Sequence, residues 1–405
     1  MQTVTTKIRV HCPLPKCGHA YSVSVADLAK SLFCKRCEKK FRLPKIEHYL
    51  VLEELGRGAF GVVNRVYDLA ENREAAVKLL NTDSLPPDRY DEWIERARNE
   101  AQVIANIVHP NILPLYRSGT HEGKFYMVTP LLPGKPLNDA IPEAGYEDPL
   151  EAVEIVITVL RTLHFVHAMK ICHRDIKPGN IMVGDGGKIV YLMDFGLAVF
   201  HEKDTSRFTE YGTILGTIAY MPMEQAKGEI DRMGAWSDQY SAGVVLYKLL
   251  TGRLPYTGGT QAMLGDITDP DKPPTPLRKY RPGIDPDLER LVLRSLGKYP
   301  GQRYSSCESF AQQLREWVDE QKSRLREPRQ PLPQPETFPL AIPVDRQAAE
   351  PPETESGGWL WIAILLLLLA GLGVGGYFAW QIFQDGKKAP TTKSPAGELP
   401  PDLTK

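Results

Sequence analysis

The segment that most constrains the fold is CHRDIKPGNIMVGDGGKIVYLMDFG, residues 172–196, in which ionisable side chains are separated by short apolar runs. Asp175, Lys177, Asn180 and Asp194 fall within about twenty positions of one another. A hydrophobic core would not collect such groups, because unpaired ionisable side chains are costly to bury. The segment is therefore either a solvated loop without a specific role or a site that manages phosphate charge.

Composition divides the chain of 405 residues into regions, and this length suggests two or three domains. Residues 1–45 are basic and hold two cysteine pairs, whereas residues 48–320 alternate strand-like and helical patterns, as expected of a large globular domain. Residues 321–356 contain eight prolines, which is typical of an extended linker. The whole chain has 49 basic and 50 acidic residues, so we expect no nucleic-acid partner.

Residues 359–383 form an apolar stretch without a charged side chain, followed by a short tail, residues 384–405. At about 1.5 Å per residue, a helix of this length exceeds the roughly 30 Å hydrocarbon core of a bilayer. We therefore predict a single transmembrane helix. Gly371 and Gly375 form a G-x-x-x-G pair inside it, which predicts a homodimer contact unless they merely reflect the frequency of glycine in membrane helices.

The two N-terminal cysteine pairs predict a metal site. No apolar stretch of the kind found in a cleavable signal peptide precedes them, so we expect reduced cysteines rather than disulfides. Cys12 and Cys17 are separated by four residues and Cys34 and Cys37 by two, which matches a four-cysteine zinc ribbon. His19 is an alternative ligand. The basic charge of this ribbon is either a docking surface for an anionic membrane or partner, or a solvated face that offsets the thiolates.

A glycine-rich stretch and a strand lysine lie upstream of residues 172–196. Gly56, Gly58 and Gly61 have the G-x-G-x-x-G spacing, but the following VVNRVYD continues as a strand, whereas dinucleotide-binding folds need a helix there. We therefore predict a hairpin whose glycines let the backbone approach a polyphosphate. The next strand carries Lys78, and the helical pattern after it offers Glu100 as a partner for the ammonium group.

Four motifs, LGRGAFGVV, AAVKLL, HRDIKPGN and DFG, resemble in order and spacing the signature set of eukaryotic-type (Hanks-type) protein kinases over about 270 residues. The resemblance implies an α+β, two-lobed protein kinase fold, here preceded by the small zinc ribbon and followed by the transmembrane helix. It also implies an ATP-dependent protein kinase. Lys177 resembles the lysine of serine/threonine kinases, so the implied acceptors are Ser and Thr hydroxyls of proteins.

The resemblance also implies roles for individual residues. Asp175 would accept or orient the proton of the acceptor hydroxyl, while Asn180 and Asp194 would hold magnesium. Lys177 would neutralise charge on the transferring phosphoryl group, and Thr217 would shape the acceptor site. The implied ATP-site residues are Gly56, Gly58, Gly61, Val63, Ala76 and Lys78, with Glu100 as the partner of the lysine.

Supporting roles follow from the same resemblance. Arg174, beside the catalytic aspartate, goes with control by a phosphorylated activation loop. Asp238 takes the place that braces the catalytic loop, and Arg303 is expected to pair with Glu224. Autophosphorylation is expected at one or more of four loop positions: Thr205, Ser206, Thr209 and Thr213.

Two segments depart from the family pattern. The segment YMPMEQ has Pro222 one place early and Met223 where the family has proline, so we expect a reshaped acceptor loop with intact phosphate handling. Thr129 is expected at the back of the adenine pocket, with Pro130 in place of a more common acidic residue. A proline there removes one hydrogen-bond donor without preventing ATP binding.

The domain order resembles that of membrane-bound eukaryotic-like kinases of bacteria. Lys387, Lys388 and Lys393 after the apolar stretch would place the tail in the cytoplasm by the positive-inside rule. The need for ATP and reduced cysteines places the kinase domain there instead, and we expect a single-pass membrane protein with a cytoplasmic kinase domain. Two alternatives are a catalytically weak kinase-fold adaptor and a zinc-dependent binding module to which the kinase is secondary.

Overall fold

The computed structural model describes residues 7–14, 16–58, 61–81, 90–184, 186–195 and 218–326, with only the backbone at positions 92, 96, 100 and 230. Several predicted features lie outside these residues: Thr205, Ser206, Thr209, Thr213, Thr217, Gly371, Gly375, the span 359–383 and the tail 384–405. None of the helices within the described ranges combines the length and apolarity that a membrane crossing requires.

The N-terminal segment folds as two antiparallel β-hairpins. Strand β1 (Lys7–His11) pairs with β2 (Ala20–Ser24), and β3 (Leu32–Cys34) pairs with β4 (Lys39–Phe41). Exposed and buried residues alternate along β1, as expected for a strand with one solvated face. We call residues 7–43 without position 15 the N-terminal module.

The small lobe is a six-stranded antiparallel sheet with the order β5-β6-β7-β8-β10-β9. Its strands are β5 (Lys45–Ile46), β6 (Tyr49–Gly58), β7 (Gly61–Asp68), β8 (Arg73–Leu80), β9 (Arg117–His121) and β10 (Lys124–Pro130). Gly58 pairs with Gly61, so the glycines lie at the end of a hairpin as the sequence predicts.

Helix α1 (Tyr90–Ala105) packs on this sheet through its apolar face. Ile94, Ala97 and Ala101 are buried in one cluster with Leu80 of β8 and Phe125 of β10. These three residues stand three and four positions apart, which places them on one face of an α-helix. The packing brings α1, which carries Glu100, against the strand that carries Lys78.

The N-terminal module shares a hydrophobic core with the small lobe. Leu50 and Leu52 of β6 and Tyr67 of β7 are buried in the same cluster as Val10 and Cys34 of the module. These residues are 5% exposed or less. The module and the lobe therefore form one packed body, although their compositions suggest separate domains.

Polar contacts also cross this boundary. Arg65 of β7 donates from Nη2 to the carbonyl oxygen of Arg9 in the module. Its Nε lies 2.7 Å from Oε1 of Glu53, and Oε2 of Glu53 lies 2.8 Å from His11 Nδ1. Partly exposed ion pairs of this kind contribute about 1 kcal/mol or less, so the shared apolar core supplies most of the stability of this boundary.

The large lobe consists of helices around a three-stranded antiparallel sheet. Its strands are β11 (Lys135–Pro136), β12 (Ile181–Gly184) and β13 (Ile189–Leu192), and its helices are α2 (Pro149–Ala168), α3 (Met223–Ala226), α4 (Ala235–Thr251), α5 (Thr260–Thr268), α6 (Pro286–Ser295) and α7 (Cys307–Arg326). Helix α4 ends at Gly252 with φ of 67°, and a Cβ there would lie 2.0 Å from the Glu143 carbonyl oxygen, so this turn requires glycine.

Helix α7 extends beyond the boundary that composition indicates. It continues to Arg326, six residues into the segment predicted as linker from residue 321. Lys322 Nζ lies 3.0 Å from Glu154 of α2, and Gln321 Nε2 donates to Asp285 over 3.3 Å. These contacts with two other parts of the lobe keep the polar end of the helix folded, which composition alone does not show.

Candidate active site

The register of the small-lobe sheet places the predicted ATP-site residues in adjacent rows. Val63 of β7 lies between Gly56 of β6 and Lys78 of β8, while Ala76 of β8 lies opposite Thr129 of β10. Antiparallel partners on neighbouring strands have Cβ atoms about 4.5–5.5 Å apart, so each row is a contiguous patch. Local strand pairing thus brings together residues from four separate strands.

Lys78 contacts the aspartate that follows β13. Its Nζ lies 2.6 Å from Asp194 Oδ2, and 14% of the lysine side chain is exposed. Burial opposes ionisation of Asp194, but the charge and hydrogen bond of Lys78, followed by His173 and Lys177, outweigh it and hold the pKa of this carboxyl below its usual value. Asp194 is therefore ionised at neutral pH, as an aspartate that binds a cation must be.

Asp175 is held by two neighbouring side chains. Lys177 Nζ lies 2.8 Å from Asp175 Oδ2, and Asn180 Nδ2 donates to the same oxygen and to the Asp175 carbonyl oxygen, both over 2.8 Å. Asn180 is buried at the end of a short 3₁₀ turn that begins at Pro178. This arrangement orients the carboxylate and keeps a positive charge beside it.

A buried carboxylate positions the loop that carries Asp175. The carboxylate of Asp238 in α4 accepts hydrogen bonds from the backbone N–H groups of His173 over 2.8 Å and Arg174 over 2.7 Å. His167 Nε2 lies 2.7 Å from Oδ2 of the same carboxylate. Burial opposes its ionisation, but the hydrogen bond and charge of His167 and the charge of His173 hold the pKa of Asp238 below its usual value. These contacts are the ones expected of a residue that braces the catalytic loop, which is the role that the resemblance implies for Asp238.

The loops of Asp175 and Asp194 are joined by hydrogen bonds around Met193. His173 Nε2 lies 2.8 Å from the Met193 carbonyl oxygen, and the Met193 N–H donates to the Asn180 carbonyl oxygen over 2.9 Å. Arg174 and Asp194 have φ of 66° and 58°. Non-glycine residues rarely adopt such values, and they persist where surrounding contacts impose them, often at functional sites.

The segment after the activation loop is held to the large lobe by an ion pair. Arg303 Nη1 and Nη2 lie 2.8 and 3.0 Å from the two carboxylate oxygens of Glu224, and Ser237 Oγ donates to the same carboxylate over 2.9 Å. Pro222 is the residue before α3, and Met223 is buried at its start. The departure from the family pattern therefore coexists with the expected pairing of Glu224.

The oxygen atoms available at this site suit magnesium. Both described hydrogen bonds of the Asn180 side chain use Nδ2, which leaves its amide oxygen as a ligand atom. Asp194 supplies a carboxylate, and Mg²⁺ prefers such oxygen ligands together with water and phosphate oxygens. Asn180 and Asp194 therefore fit the ion that the sequence predicts.

The four N-terminal cysteines form a compact cluster. Their sulfur atoms all lie within 4.8 Å of one another, with Sγ–Sγ distances of 3.8 Å for Cys12 and Cys37 and 3.6 Å for Cys17 and Cys34. Zn–S bonds of about 2.3 Å in a tetrahedron require sulfur atoms about 3.8 Å apart. His19 is not part of this cluster; its ring stacks on Tyr21.

The environment of the cluster shifts its thiols in opposite directions. Burial raises the pKa of Cys12 to about 12. Backbone N–H groups, first that of Cys37 and also that of Arg36, outweigh burial and lower the pKa of Cys34 to about 7. Metal binding would displace the remaining protons, since thiolates are the ligands.

The sequence located most of this site, but not its supporting contacts. Lys78, Asp175, Lys177, Asn180 and Asp194 are brought together, whereas the side chain of Glu100 and the whole of Thr217 lie outside the described residues. His167 and His173, which hold Asp238 and the Met193 carbonyl, were given no role. Their only sequence signal is that His173 lies within the HRD motif and His167 near the end of the preceding helix.

The fold and the site define a two-lobed kinase architecture, and comparison with known proteins agrees. A family model described as "Protein kinase domain" matches residues 49–315, so the chain belongs to the protein kinase family. The predicted two-lobed α+β fold is therefore confirmed. It is similar in structure to the crystal structure of the Mycobacterium tuberculosis PknI kinase domain, with 24% identity and a TM-score of 0.53, covering 68% of this chain and 98% of that chain.

Within this family, the chain is similar in sequence to bacterial serine/threonine-protein kinases. It is 30% identical to the probable serine/threonine-protein kinase CE0033 of Corynebacterium efficiens, over 86% of this chain and 57% of the relative. It is 31% identical to PrkC of Bacillus subtilis, over 73% and 44%, and 34% identical to PknB of Mycobacterium tuberculosis, over 64% and 41%. The chain thus spans about half the length of these relatives.

Proposed function

We propose that this protein transfers the γ-phosphoryl group of ATP to Ser and Thr hydroxyls of proteins. The observation that carries the proposal is the arrangement around Asp175, whose carboxylate is held 2.8 Å from both Lys177 and Asn180. The names of the relatives as serine/threonine-protein kinases support the acceptor class.

Each residue of the site has a part in this reaction. Asp175 orients the acceptor hydroxyl and accepts its proton, and Lys177 offsets negative charge on the phosphoryl group in transit. Lys78 binds phosphate oxygens of ATP, while the glycine-rich hairpin covers them with backbone. Magnesium held by Asn180 and Asp194 would neutralise charge on the phosphates. Catalysis then comes from positioning and electrostatic stabilisation rather than from a covalent intermediate.

Phosphate incorporation from radiolabelled ATP and magnesium into a Ser/Thr-rich carrier protein tests this proposal. The full chain is compared with Asp175→Asn and with Asp271→Asn, which makes the same chemical change on a loop of the large lobe. We expect incorporation with the full chain and with Asp271→Asn, and loss with Asp175→Asn. ATP binding without incorporation by the full chain would reject the kinase in favour of the adaptor.

We infer that the protein also phosphorylates its own activation loop. Arg174 lies next to Asp175, where a positive charge can bind a phosphorylated residue. The four acceptors expected from the sequence are Thr205, Ser206, Thr209 and Thr213. Mass spectrometry of active protein before and after phosphatase treatment tests this. An unmodified loop in fully active protein would reject the inference.

We propose that Cys12, Cys17, Cys34 and Cys37 hold a structural zinc ion. The sulfur separations of 3.8 Å for Cys12 and Cys37 and 3.6 Å for Cys17 and Cys34 support it, because they match the edge of a tetrahedral zinc–thiolate site. Metal analysis of the purified chain should give one zinc per chain. Cys12→Ser should lose this zinc while Cys172→Ser, outside the cluster, retains it; equal zinc content in both variants would reject the site.

We also propose that residues 359–383 anchor the protein in a membrane, with residues 327–356 as the linker and the kinase domain in the cytoplasm. The support is the uncharged apolar stretch and the need of the site for ATP. A Leu366→Arg/Leu367→Arg variant should move from the carbonate-washed membrane fraction to the supernatant. The kinase domain should be cleaved by trypsin in inverted vesicles but not in intact cells.

The anchor is further proposed to form a homodimer through Gly371 and Gly375. Gly371→Ile together with Gly375→Ile should lower crosslinking between copies, because a larger side chain prevents close helix approach. Gly373→Ile, which lies between these positions on another face, is the matched control. Equal crosslinking in all three proteins would reject the dimer.

A further inference from the structure

One lysine of the large lobe differs from its neighbours on the same helix in how far it is buried. Between Ser237 and Thr251 of α4, every residue except Lys248 is buried. A lysine in the last turn of a helix interacts favourably with the helix dipole, which is one reason to find it there. Lys248 is itself only partly buried, and even partial burial of an ammonium group requires a polar partner.

The described partner of Lys248 carries no charge. Its Nζ donates to the hydroxyl of Tyr220 over 3.3 Å, and burial lowers the pKa of the lysine without a contribution from any described carboxylate. The lysines of the active site each have a carboxylate partner, since Lys78 contacts Asp194 and Lys177 contacts Asp175. Lys248 is thus a partly buried cation that the described structure leaves without a counter-charge.

The partner of Lys248, Tyr220, lies close in sequence to the expected acceptor site. Tyr220 is three residues after Thr217, the residue implied to shape the acceptor site, and its carbonyl oxygen accepts Ser241 Oγ over 2.8 Å. Gln225, five residues later, donates to the carbonyl oxygen of Arg174, next to Asp175, over 3.1 Å. The segment beside Lys248 is therefore tied to the catalytic loop.

Two of the four acceptors expected in the chain itself have an acidic neighbour, whereas Ser206 is followed by Arg207. In HEKDTSRFTEYGT, Asp204 precedes Thr205 and Glu210 follows Thr209. A carboxylate next to the acceptor would supply the counter-charge that Lys248 lacks. A lysine that is already partly desolvated binds such a group more strongly than a fully hydrated surface lysine does, because the local dielectric constant is lower.

We propose that Lys248 is a specificity residue that binds an acidic side chain near the Ser or Thr acceptor of a protein substrate. This inference rests on the proposed kinase function. Its consequence is a preference for acceptors flanked by Asp or Glu over acceptors flanked by neutral or basic residues. The ammonium group would exchange the Tyr220 hydroxyl for the substrate carboxylate.

Peptide phosphorylation measures this preference. Each peptide contains one Thr and one test residue, Asp, Asn or Lys, placed at one of the four positions on either side of the Thr. For each peptide, kcat/KM is measured with the full chain. At the position that Lys248 contacts, Asp should exceed Asn by about tenfold, the effect of a hydrogen bond to a charged group. The ratio of kcat/KM for the Asp and Asn peptides is determined for each variant, so a general loss of activity does not change it.

Three variants and one control separate the charge from the fold. Lys248→Met should bring the Asp/Asn ratio close to one, Lys248→Arg should keep the preference, and Lys248→Glu should favour the Lys peptide. Lys279→Met is the control, because Lys279 is an exposed lysine that also lies over a tyrosine ring, that of Tyr280. An unchanged Asp/Asn ratio in Lys248→Met would overturn the inference, whereas no phosphorylation of any peptide by the unmodified chain would reject the kinase itself.

Discussion

Arg303 and Glu224, 79 positions apart in the sequence, form a two-pronged ion pair with N–O distances of 2.8 and 3.0 Å in the interior of the large lobe. Arg303 also donates to the carbonyl oxygens of Trp236, Gly297 and Lys298. Such a pair ties the segment after the activation loop to the end of the kinase domain. Its importance for stability is measured by the change in the free energy of unfolding when one partner is removed.

Arg303→Met should lower the free energy of unfolding by about 3–5 kcal/mol, because it leaves the Glu224 carboxylate buried without its counter-charge. Arg290→Met removes an exposed ion pair with Asp287 and should change it by about 1 kcal/mol or less. Urea unfolding followed by fluorescence measures both. Similar effects of the two substitutions would contradict a buried role for Arg303.

Removal of the proposed zinc should weaken the kinase as well as the N-terminal module. The module covers Leu50, Leu52 and Tyr67 of the small lobe, so its unfolding would expose apolar surface beside the glycine-rich hairpin. We expect chelator treatment, or Cys12→Ser, to lower the melting temperature and the rate of phosphorylation together. Full activity after verified loss of metal would show that the small lobe does not depend on the module.

Lys78→Met should lower kcat by about 10²–10³, the usual effect of removing one group that stabilises charge in the transition state. The substitution removes both a phosphate contact and the partner of Asp194, 2.6 Å away. Lys188→Met, at an exposed position in the turn between β12 and β13, should leave kcat unchanged. Steady-state kinetics at saturating ATP separates the effect on kcat from that on binding.

The ion pair between α2 and α7 should make stability depend on acidic pH. Burial opposes ionisation of Glu154, but hydrogen bonds from Arg315 over 2.6 and 2.7 Å and from Lys322 hold its pKa below the usual 4.5. Because the folded-state pKa is the lower one, this stabilisation is complete above about pH 4.5 and is lost as the pH falls through the folded-state value.

Glu154→Gln should therefore destabilise the protein at pH 7 by about 1 kcal/mol or less, since the pair is partly exposed. The difference from the unmodified chain should shrink below about pH 4.5. Urea unfolding at several pH values measures it. A difference that stays constant down to pH 3 would mean that the glutamate acts through packing rather than charge.

Much of the site was predictable because its residues lie in short motifs. The hairpin of Gly56, Gly58 and Gly61 and the strand position of Lys78 follow from β-propensity and alternation, which depend on neighbouring residues. The bonds of Asp175 with Lys177 and Asn180 span two and five positions. Such local spacing survives in the folded chain because the backbone between the partners is short.

Contacts between residues that lie far apart in the sequence could be predicted only from the family resemblance, and some of them could not be predicted at all. The resemblance implied the bracing by Asp238 and the pairing of Arg303 with Glu224. Nothing in the pattern indicated that Leu50 and Leu52 would share a core with Cys34, or that α7 would continue to Arg326. Periodicity shows that a side chain is buried, but not which surface covers it.

The family of the protein, the order of its phosphate-handling groups and the cysteine pairs of its N-terminal module could all be predicted from residue types at short spacing. The packing of this module and the small lobe into one body, and the partial burial of Lys248 against Tyr220, are visible only in the folded protein. The reason is physical: burial and desolvation depend on which distant surfaces meet, and this is set by the packing of the whole chain.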